Sequence, residues 1–353
     1  MKLNSLNNLA WKRFKKNKVS LWSLYYIFFM VIISIFAVVI SPDSSKNANE
    51  MNLNLAIKKP LSSVTFLNFQ NHNQNEKKSL KSLFFGKKES SDRVPIKKVI
   101  KKTKNSIEYL EYDTELKKKY HGNYSLSNQV FWFGTDKFGR DYLSRTIQGT
   151  RISLAVGFIS VLISLLIGVF LGLLAGYYRG KIDAIIMWFV NVIWSIPTLL
   201  IVIAISLVLG KGFWQIFIAI GLTMWVEVAR IVRGQVLLER ELQYVESAKI
   251  LGFSSFRIIY KHVLPNILAP IIVISSANFA TAILVESGLS FLGLGAQPPI
   301  PSWGSMIKDH YSYIVMNKAY LAIIPGIAIM SFVLAFMLLG NGLRDAFDHK
   351  YIS

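Results

Sequence analysis

Six apolar runs constrain this chain more than any other feature. They lie near Leu21–Ile40, Ile152–Tyr178, Ala184–Gly210, Phe213–Val226, Ile267–Val285 and Ala319–Leu343. A helix of about 20 apolar residues crosses a bilayer and satisfies its own backbone there. The spacing therefore predicts an all-α membrane protein with six transmembrane helices. The fourth run meets Glu227 early, so its inner end is the least defined of the twelve boundaries. The first run follows the basic segment WKRFKKNK but exceeds the apolar core of a signal peptide, and no small-x-small site follows it. It reads as a retained anchor.

Charge decides which side faces which compartment. Lys2, Lys12, Arg13, Lys15, Lys16 and Lys18 precede the first run with no acid among them. The positive-inside rule then places the N-terminus in the cytoplasm, and six spans return the C-terminus to it. The Arg179–Asp183 loop, the Arg230–Lys261 segment and the tail 344–353, with Arg344 and Lys350, fall inside. The net charge of +20 suits a membrane surface and not nucleic acid, because it gathers at the span ends and in one insertion. Residues 41–150 fall outside despite 20 Lys or Arg against 11 Asp or Glu. Long loops translocate largely regardless of charge. With no cysteine, disulfides and thiolate metal sites are excluded.

The chain divides into residues 1–40 (basic N-terminus and first span), 41–130 (extracytoplasmic insertion), 131–151 (interfacial elbow), 152–343 (five-helix core) and 344–353 (cytoplasmic tail). The insertion is rich in Lys, Asn and Ser, with patches KKVIKKTK and ELKKKY and short β-like pieces SVTFLNF and SIEYLEY. It reads as a loosely folded surface loop; the alternative is a small docking module for an extracytoplasmic partner. In the elbow, FWFGTDKFGRDYLSRTIQGTRISL, Gly134 and Gly139 mark turns and Asp136 is placed to cap a helix. Leu143 and Ile147 share one face, while Arg140, Arg145 and Arg151 would lay their stems on apolar surface and their heads in water. In span two, Gly168, Gly172 and Gly176 form one smooth helix face for a close neighbour. Pro197 is placed to kink span three.

The stretch YVESAKILGFSSFRIIYKHVLPN, Tyr244–Asn266, interrupts the apolar pattern. A charge at bilayer centre costs about 2.5–3.5 kcal/mol on insertion scales, so this segment belongs in the cytoplasm. Val236, Leu237, Tyr244, Ala248 and Leu251 would share an apolar stripe. Gly252 would end the helix at positive φ, Ser254 would cap a second short helix to His262, and Pro265 would open the next span. Such a built, water-exposed hairpin suggests a protein partner.

Glu246-Ser247-Ala248, three residues, Gly252, nine residues and His262-Val263-Leu264-Pro265 resemble the EAA loop of ABC-importer permeases, which spans 234–265 here. Ser247 stands where Ala is usual, and His262 where Ile is usual; His before Val-Leu-Pro resembles the peptide-importer branch. Two further motifs resemble the C-type permeases of oligopeptide, dipeptide and nickel importers. One carries Gly134, Thr135, Asp136, Gly139, Arg140 and Asp141. The other, ESGLSFLGLGAQPPIPSWGSMI, carries Ser290, Gly293, Gly295, Pro298, Trp303 and Gly304. The resemblance covers span one and about Phe131 onward, and leaves most of 41–130 unmatched.

The resemblance implies a type I importer permease fold in the cytoplasmic (inner) membrane. It implies a homologous B-type permease, one or two cytoplasmic ATPase subunits docked on the Glu246, Ala248 and Gly252 helix, and an extracytoplasmic substrate-binding protein. ATP and Mg would sit on those ATPases; no cofactor or metal is expected on this chain. The residues agree with a borrowed engine, since G-x-x-x-x-G-K-[ST] is absent and LGKGFW lacks the loop and the Ser/Thr. The chain shows no row of intramembrane acids such as ion-coupled carriers use; Glu227 and Glu286 read as interfacial or cap-like residues near span ends. The five histidines show no H-x-x-x-H spacing, which argues against an enzyme. ESGLSFLGLGAQPPIPSWGSMI reads as a rigid re-entrant or interfacial element on the outer side. Peptide import leads; nickel or another small solute, and an ion-coupled carrier, are the alternatives.

Overall fold

The computed structural model describes residues 2–69, 86, 93–103, 106–112, 116–210 and 212–347, with side chains from Leu9 onward. Lys350, His349 and His72 lie outside them, as does the end of the tail. The chain forms two compact units: Met1–Met30, Ser153–Gln297 and Ile327–Ser353 make the first, and Val31–Ile152 with Pro298–Gly326 the second.

The principal helices are α1 Lys2–Lys16, α2 Lys18–Ile35, α3 Tyr142–Tyr178, α4 Gly180–Trp194, α5 Thr198–Leu209, α6 Phe213–Arg240, α7 Gln243–Ile250, α8 Leu268–Leu292, α9 Trp303–His310 and α10 Tyr320–Phe347. Five of them, α2, α3, α6, α8 and α10, are long and apolar enough to cross a membrane. The third expected span departs from expectation. It is the pair α4 and α5, bent by 90° around Ser195–Pro197. Proline at the break removes a backbone donor and forbids a continuous helix. With 15 and 12 residues, the arms reach only about 22 and 18 Å each, less than a bilayer core of about 30 Å.

Helix α6 is the hub of the first unit and the most buried of the five long apolar helices, with α2 the least. Its centre is a packed seam. A Cβ added at Gly168, Gly172 or Gly176 would stand 2.6–2.7 Å from Cβ of Val228, Val232 or Val236. Both series step by four residues, so small faces large along two helix turns, as the glycine spacing requires. Around the same unit, Ser20 Oγ donates to Leu338 O at 3.1 Å, and the Tyr26 and Ser331 hydroxyls meet at 2.8 Å.

The second unit overturns the all-α expectation. Strands β1 Ser62–Phe69, β2 Arg93–Thr103, β3 Ser106–Glu111, β4 Lys117–His121 and β5 Tyr124–Phe131 form one antiparallel sheet ordered β4-β3-β2-β1-β5. The insertion is therefore built, not a loose loop. Leu55, Val64, Phe66 and Phe131 pack together on one side, and Leu67, Ile96, Ile107 and Tyr109 on the other. SVTFLNF and SIEYLEY, the two β-like pieces, fall within β1 and across β3.

The interfacial elbow also changes. β5 ends at Phe131, and α3 runs without a break from Tyr142 into the second span, so 131–151 is not one element. The fourth span likewise continues to Arg240 instead of ending near Val226. Glu286 is not at a span end. It is fully buried within α8, where Ser290 Oγ donates to its Oε1 at 2.6 Å. The motif beginning at Glu286 is thus helix up to Leu292. Gly293, at φ +84°, closes the helix, and a loop then leads to α9.

Candidate functional site

Helix α6 projects beyond the apolar core and ends at Arg240, where the charged segment begins. Its exit is held by cation contacts. Arg233 forks Asp183 with two hydrogen bonds of 2.6 Å. Arg240 donates to the Tyr177 carbonyl, and Arg230 stacks 3.3 Å over the Trp194 ring. The bidentate Arg233–Asp183 pair fixes direction as well as adding energy. The Arg179–Glu241 pair lies at the surface and adds little.

After the break at Glu241–Leu242, α7 turns its inner face onto the helical core. Val245 and Ala248 are buried among Val232, Val236, Leu173, Tyr177, Ile258, Val263 and Ile267. The stripe expected from one continuous helix is corrected here. The break resets the phase, so Val245 is buried, whereas Leu251 is 71% exposed. Gly252, at φ +74°, closes α7 by donating to Lys249 O at 2.9 Å; Phe253 N–H reaches Ala248 O at 3.1 Å. This pair of bonds is a Schellman closure and requires the left-handed region that glycine enters freely.

The return arm follows Ser254, whose backbone is extended but whose side chain makes no cap bond. Ser255–Ile258 is helical, Ile259–Val263 forms one π-helical turn, and Leu264–Asn266 completes the arm with Pro265 near its start. Pro265 therefore belongs to the arm and not to α8. His262 stacks on Phe253 at 6.0 Å and 16°, with the Arg257 guanidinium 4.2 Å over the other ring. Asn266 Nδ2 donates to His262 O and to Tyr244 Oη, each at 2.8 Å. Partial burial, the Tyr244 bond to Glu239 and the Glu239 charge push the Tyr244 phenol up to about 12, keeping it a neutral donor.

Outside, the hairpin exposes four large apolar side chains among charged ones. Ile250, Leu251, Phe256 and Tyr260 are 61–81% exposed, and the Phe256 and Tyr260 rings lie parallel at 6.2 Å. Glu246 and Ser247 lie exposed on α7, while Ala248 points inward and His262, Leu264 and Pro265 are half-buried. The motif residues thus divide: Ala248 and His262 build the hairpin, whereas Glu246 and Ser247 face out. The four large outward side chains escaped the motif reading. Ile250, Phe256 and Tyr260 lie off the expected stripe, and Leu251 lies on it but turns outward.

The second motif set gathers in the second unit. Asp136 is buried and accepts from the Phe138 and Arg140 backbone N–H groups at 2.8 and 3.0 Å and from Arg140 Nε at 2.6 Å. Arg145 Nε stands 3.8 Å from the same carboxylate. The Arg140 and Arg145 heads are therefore buried on Asp136, not in water, while Arg151 is half-buried. Nor does Asp136 cap the helix. Asp141 does, accepting Ser144 N–H at 2.8 Å. Burial, offset in part by the Ser144 bonds, pushes the Asp141 carboxyl up to about 6. Thr135 takes Lys58 N–H at 2.8 Å and donates to Leu55 O. Gly134 and Gly139 both sit at positive φ in this turn.

Trp303 is fully buried and its indole donates to Thr146 O at 2.9 Å; Gly304, buried beside it in α9, leads to His310. His310 Nδ1 bonds Met306 O at 2.8 Å and its Nε2 faces Lys137 N–H at 3.4 Å, while burial pushes the imidazole pKa down. His310 was not singled out by its sequence context. Pro298 lies in the loop before α9; Ser290, Gly293 and Gly295 belong to the first unit, where Ser290 packs against Gly295. Among the described residues, no three His, Asp or Glu side chains gather in a way that could hold a metal ion.

Residues 168–353 match the family model described as binding-protein-dependent transport system inner membrane component. The chain belongs to that family, the membrane permeases of ABC importers. Residues 5–60 match the N-terminal TM domain of oligopeptide transport permease C, which makes this an oligopeptide/dipeptide C-type, multi-pass inner-membrane permease. The match to residue 60 also carries the family pattern further into the insertion than the motifs alone did. The chain is 42% identical over 241 residues to the glutathione transport system permease protein GsiD of Pectobacterium atrosepticum, covering 68% of this chain and 80% of that one. It is 46% identical over 219 residues to the dipeptide transport system permease protein DppC of Bacillus subtilis, covering 62% and 68%. A solved inward-facing MetNI methionine ABC transporter is similar at TM-score 0.49 and 18% identity, over 58% of this chain and 97% of that one.

Proposed function

We propose that this chain is the C-type permease subunit through which an ABC importer carries di- or oligopeptides across the cytoplasmic membrane. One observation carries the coupling half of this reading: the Gln243–Asn266 hairpin is anchored on its inner face and leaves Ile250, Leu251, Phe256 and Tyr260 bare on its outer face. Exposed apolar surface of this kind is built to be covered. The cover proposed is a cytoplasmic ATPase, with ATP and Mg bound on it, receiving Ile250, Leu251 and Phe256 in a groove, with Glu246 and Gly252 at the turn. Closure of two such ATPases would rock the packed helices as rigid bodies and alternate access across the membrane.

Both termini then lie in the cytoplasm, α4 and α5 together make the third of six spans, and residues 41–150 stand outside. The partners are a homologous B-type permease, one or two ATPases and an extracytoplasmic substrate-binding protein. The relatives named for dipeptide and glutathione transport support a peptide substrate over nickel.

The test is reconstitution of this chain with those partners in proteoliposomes. ATP-dependent uptake of a labelled dipeptide is expected. Glu246→Ala combined with Gly252→Pro should abolish substrate-stimulated hydrolysis while leaving membrane insertion intact. Uptake driven by an ion gradient without ATP would overturn the reading in favour of a carrier.

A further inference from the structure

The sheet of the second unit carries a lysine-rich face. β2 bears Lys97, Lys98, Lys101 and Lys102, and β4 bears Lys117, Lys118 and Lys119, all exposed. β3 between them offers Glu108 and Glu111, which pair with Lys119 at 3.5 Å and Lys118 at 2.5 Å. Among the described residues, the β2 lysines form no ion pair.

Register sorts these side chains by face, because directly paired residues in antiparallel strands point the same way. Lys101 pairs Glu108, which pairs Lys119; Lys98 pairs Leu110, which pairs Lys117. Lys98, Lys101, Lys117 and Lys119 therefore line one face in two adjacent rows. The opposite face carries Ile107 and Tyr109, buried against Leu67 and Ile96. Lysine on an edge strand is an ordinary guard against sheet-to-sheet pairing, and β4 is an edge. β2 is interior, so edge protection does not explain its lysines. Glu108 shares this face, where four lysines outweigh it among the described residues, and a face of net positive charge is suited to steer and orient a partner of opposite charge.

We infer that the Lys98, Lys101, Lys117 and Lys119 face of this sheet is a docking surface for an acidic face of the extracytoplasmic substrate-binding protein. The inference rests on the proposed function, which places the insertion outside. The partner follows from charge complementarity and from a family described as binding-protein-dependent. The family models matching residues 5–60 and 168–353 leave the whole sheet uncovered, so the surface is a feature of this chain beyond the shared permease pattern.

The experiment uses the full importer complex in phosphatidylcholine nanodiscs, with the binding protein encoded beside this permease as analyte. The variant changes Lys98, Lys101, Lys117 and Lys119 to Gln. Affinity should fall about tenfold or more and lose most of its salt dependence, with basal ATP hydrolysis and melting temperature unchanged. A Lys117→Arg, Lys119→Arg variant should retain binding. Unchanged affinity in the Gln variant, with uptake intact, overturns the docking surface alone. So does a Gln variant that loses binding only to phosphatidylglycerol vesicles, which would assign the face to a lipid surface. Failure of the binding protein to engage the wild-type complex sinks the proposed function together with this inference.

Discussion

The hairpin at Gln243–Asn266 and the sheet at Ser62–Phe131 are both charged interruptions between apolar helices, yet they distribute their side chains in opposite ways. The hairpin lends Val245, Ala248, Ile258 and Val263 to the helical core and leaves Ile250, Leu251 and Phe256 bare. The sheet buries its own Leu67, Ile96, Ile107 and Tyr109 and presents lysine. Apolar exposure calls for a complementary groove and gives tight, desolvated contact; charge exposure gives orientation and speed of encounter. The two proposed roles, transmitting force and receiving the binding protein, need those two properties respectively.

The contrast makes the inner face of the hairpin the more sensitive point. Val245→Asp would bury an uncompensated carboxylate among Val232, Val236 and Ile258, at a cost of about 3–5 kcal/mol. Thermal melts of the purified permease should drop sharply, and α7 should become accessible to protease. Next comes the sheet. Ile107→Ala should cost about 2–4 kcal/mol locally, given complete burial of that side chain. Limited proteolysis should then cleave within the insertion while basal ATP hydrolysis of the complex persists. Loss of hydrolysis in that variant would erase the contrast between the two regions.

Asp141 supplies a pH signature for the second unit alone. Its folded carboxyl titrates near 6 against an ordinary value of 3.8, so the native state holds the extra proton between those limits. Stability must therefore fall as pH rises from about 4 to about 6, and stay lower above, by about 2–3 kcal/mol. Asp141→Asn keeps an acceptor for Ser144 and should flatten that part of the profile in melts taken across pH. The smallest effect belongs to Gly252→Ala. Nothing lies within 4 Å of the added methyl, so only the positive φ is strained, at about 1 kcal/mol. Melting temperature should fall by a few degrees with docking retained.

How far these regions could be read from residues alone depends on the same division. Helix runs, the Gly168–Gly172–Gly176 seam and the Gly252 closure were legible because each is a local rule of spacing or φ. The 90° break at Ser195–Pro197 was legible as a site but not as an angle, since proline removes a bond without fixing the direction of the next helix. Strands β1 and β3 were legible as SVTFLNF and SIEYLEY, whereas β2 and β4 were missed because their lysines mask the alternation that marks a strand. The Asp136–Arg140–Arg145 cluster was misread as solvated because pairing over long range is invisible in spacing. In the hairpin, one broken turn at Glu241–Leu242 shifted the helical phase and exchanged Leu251 for Val245 as the buried residue.

The role assigned to the hairpin can be tested by co-purification of the ATPase with a tagged permease carrying Ile250→Asp and Phe256→Asp. Both side chains are at least 78% exposed in the isolated chain, so folding should be untouched. Loss of two desolvated anchors at about 2 kcal/mol each should weaken association by about a thousandfold, leaving no ATPase in the eluate and an unaltered melting temperature. Recovery of the ATPase at wild-type stoichiometry, with the same well-folded variant, would contradict the assignment of this surface to force transmission.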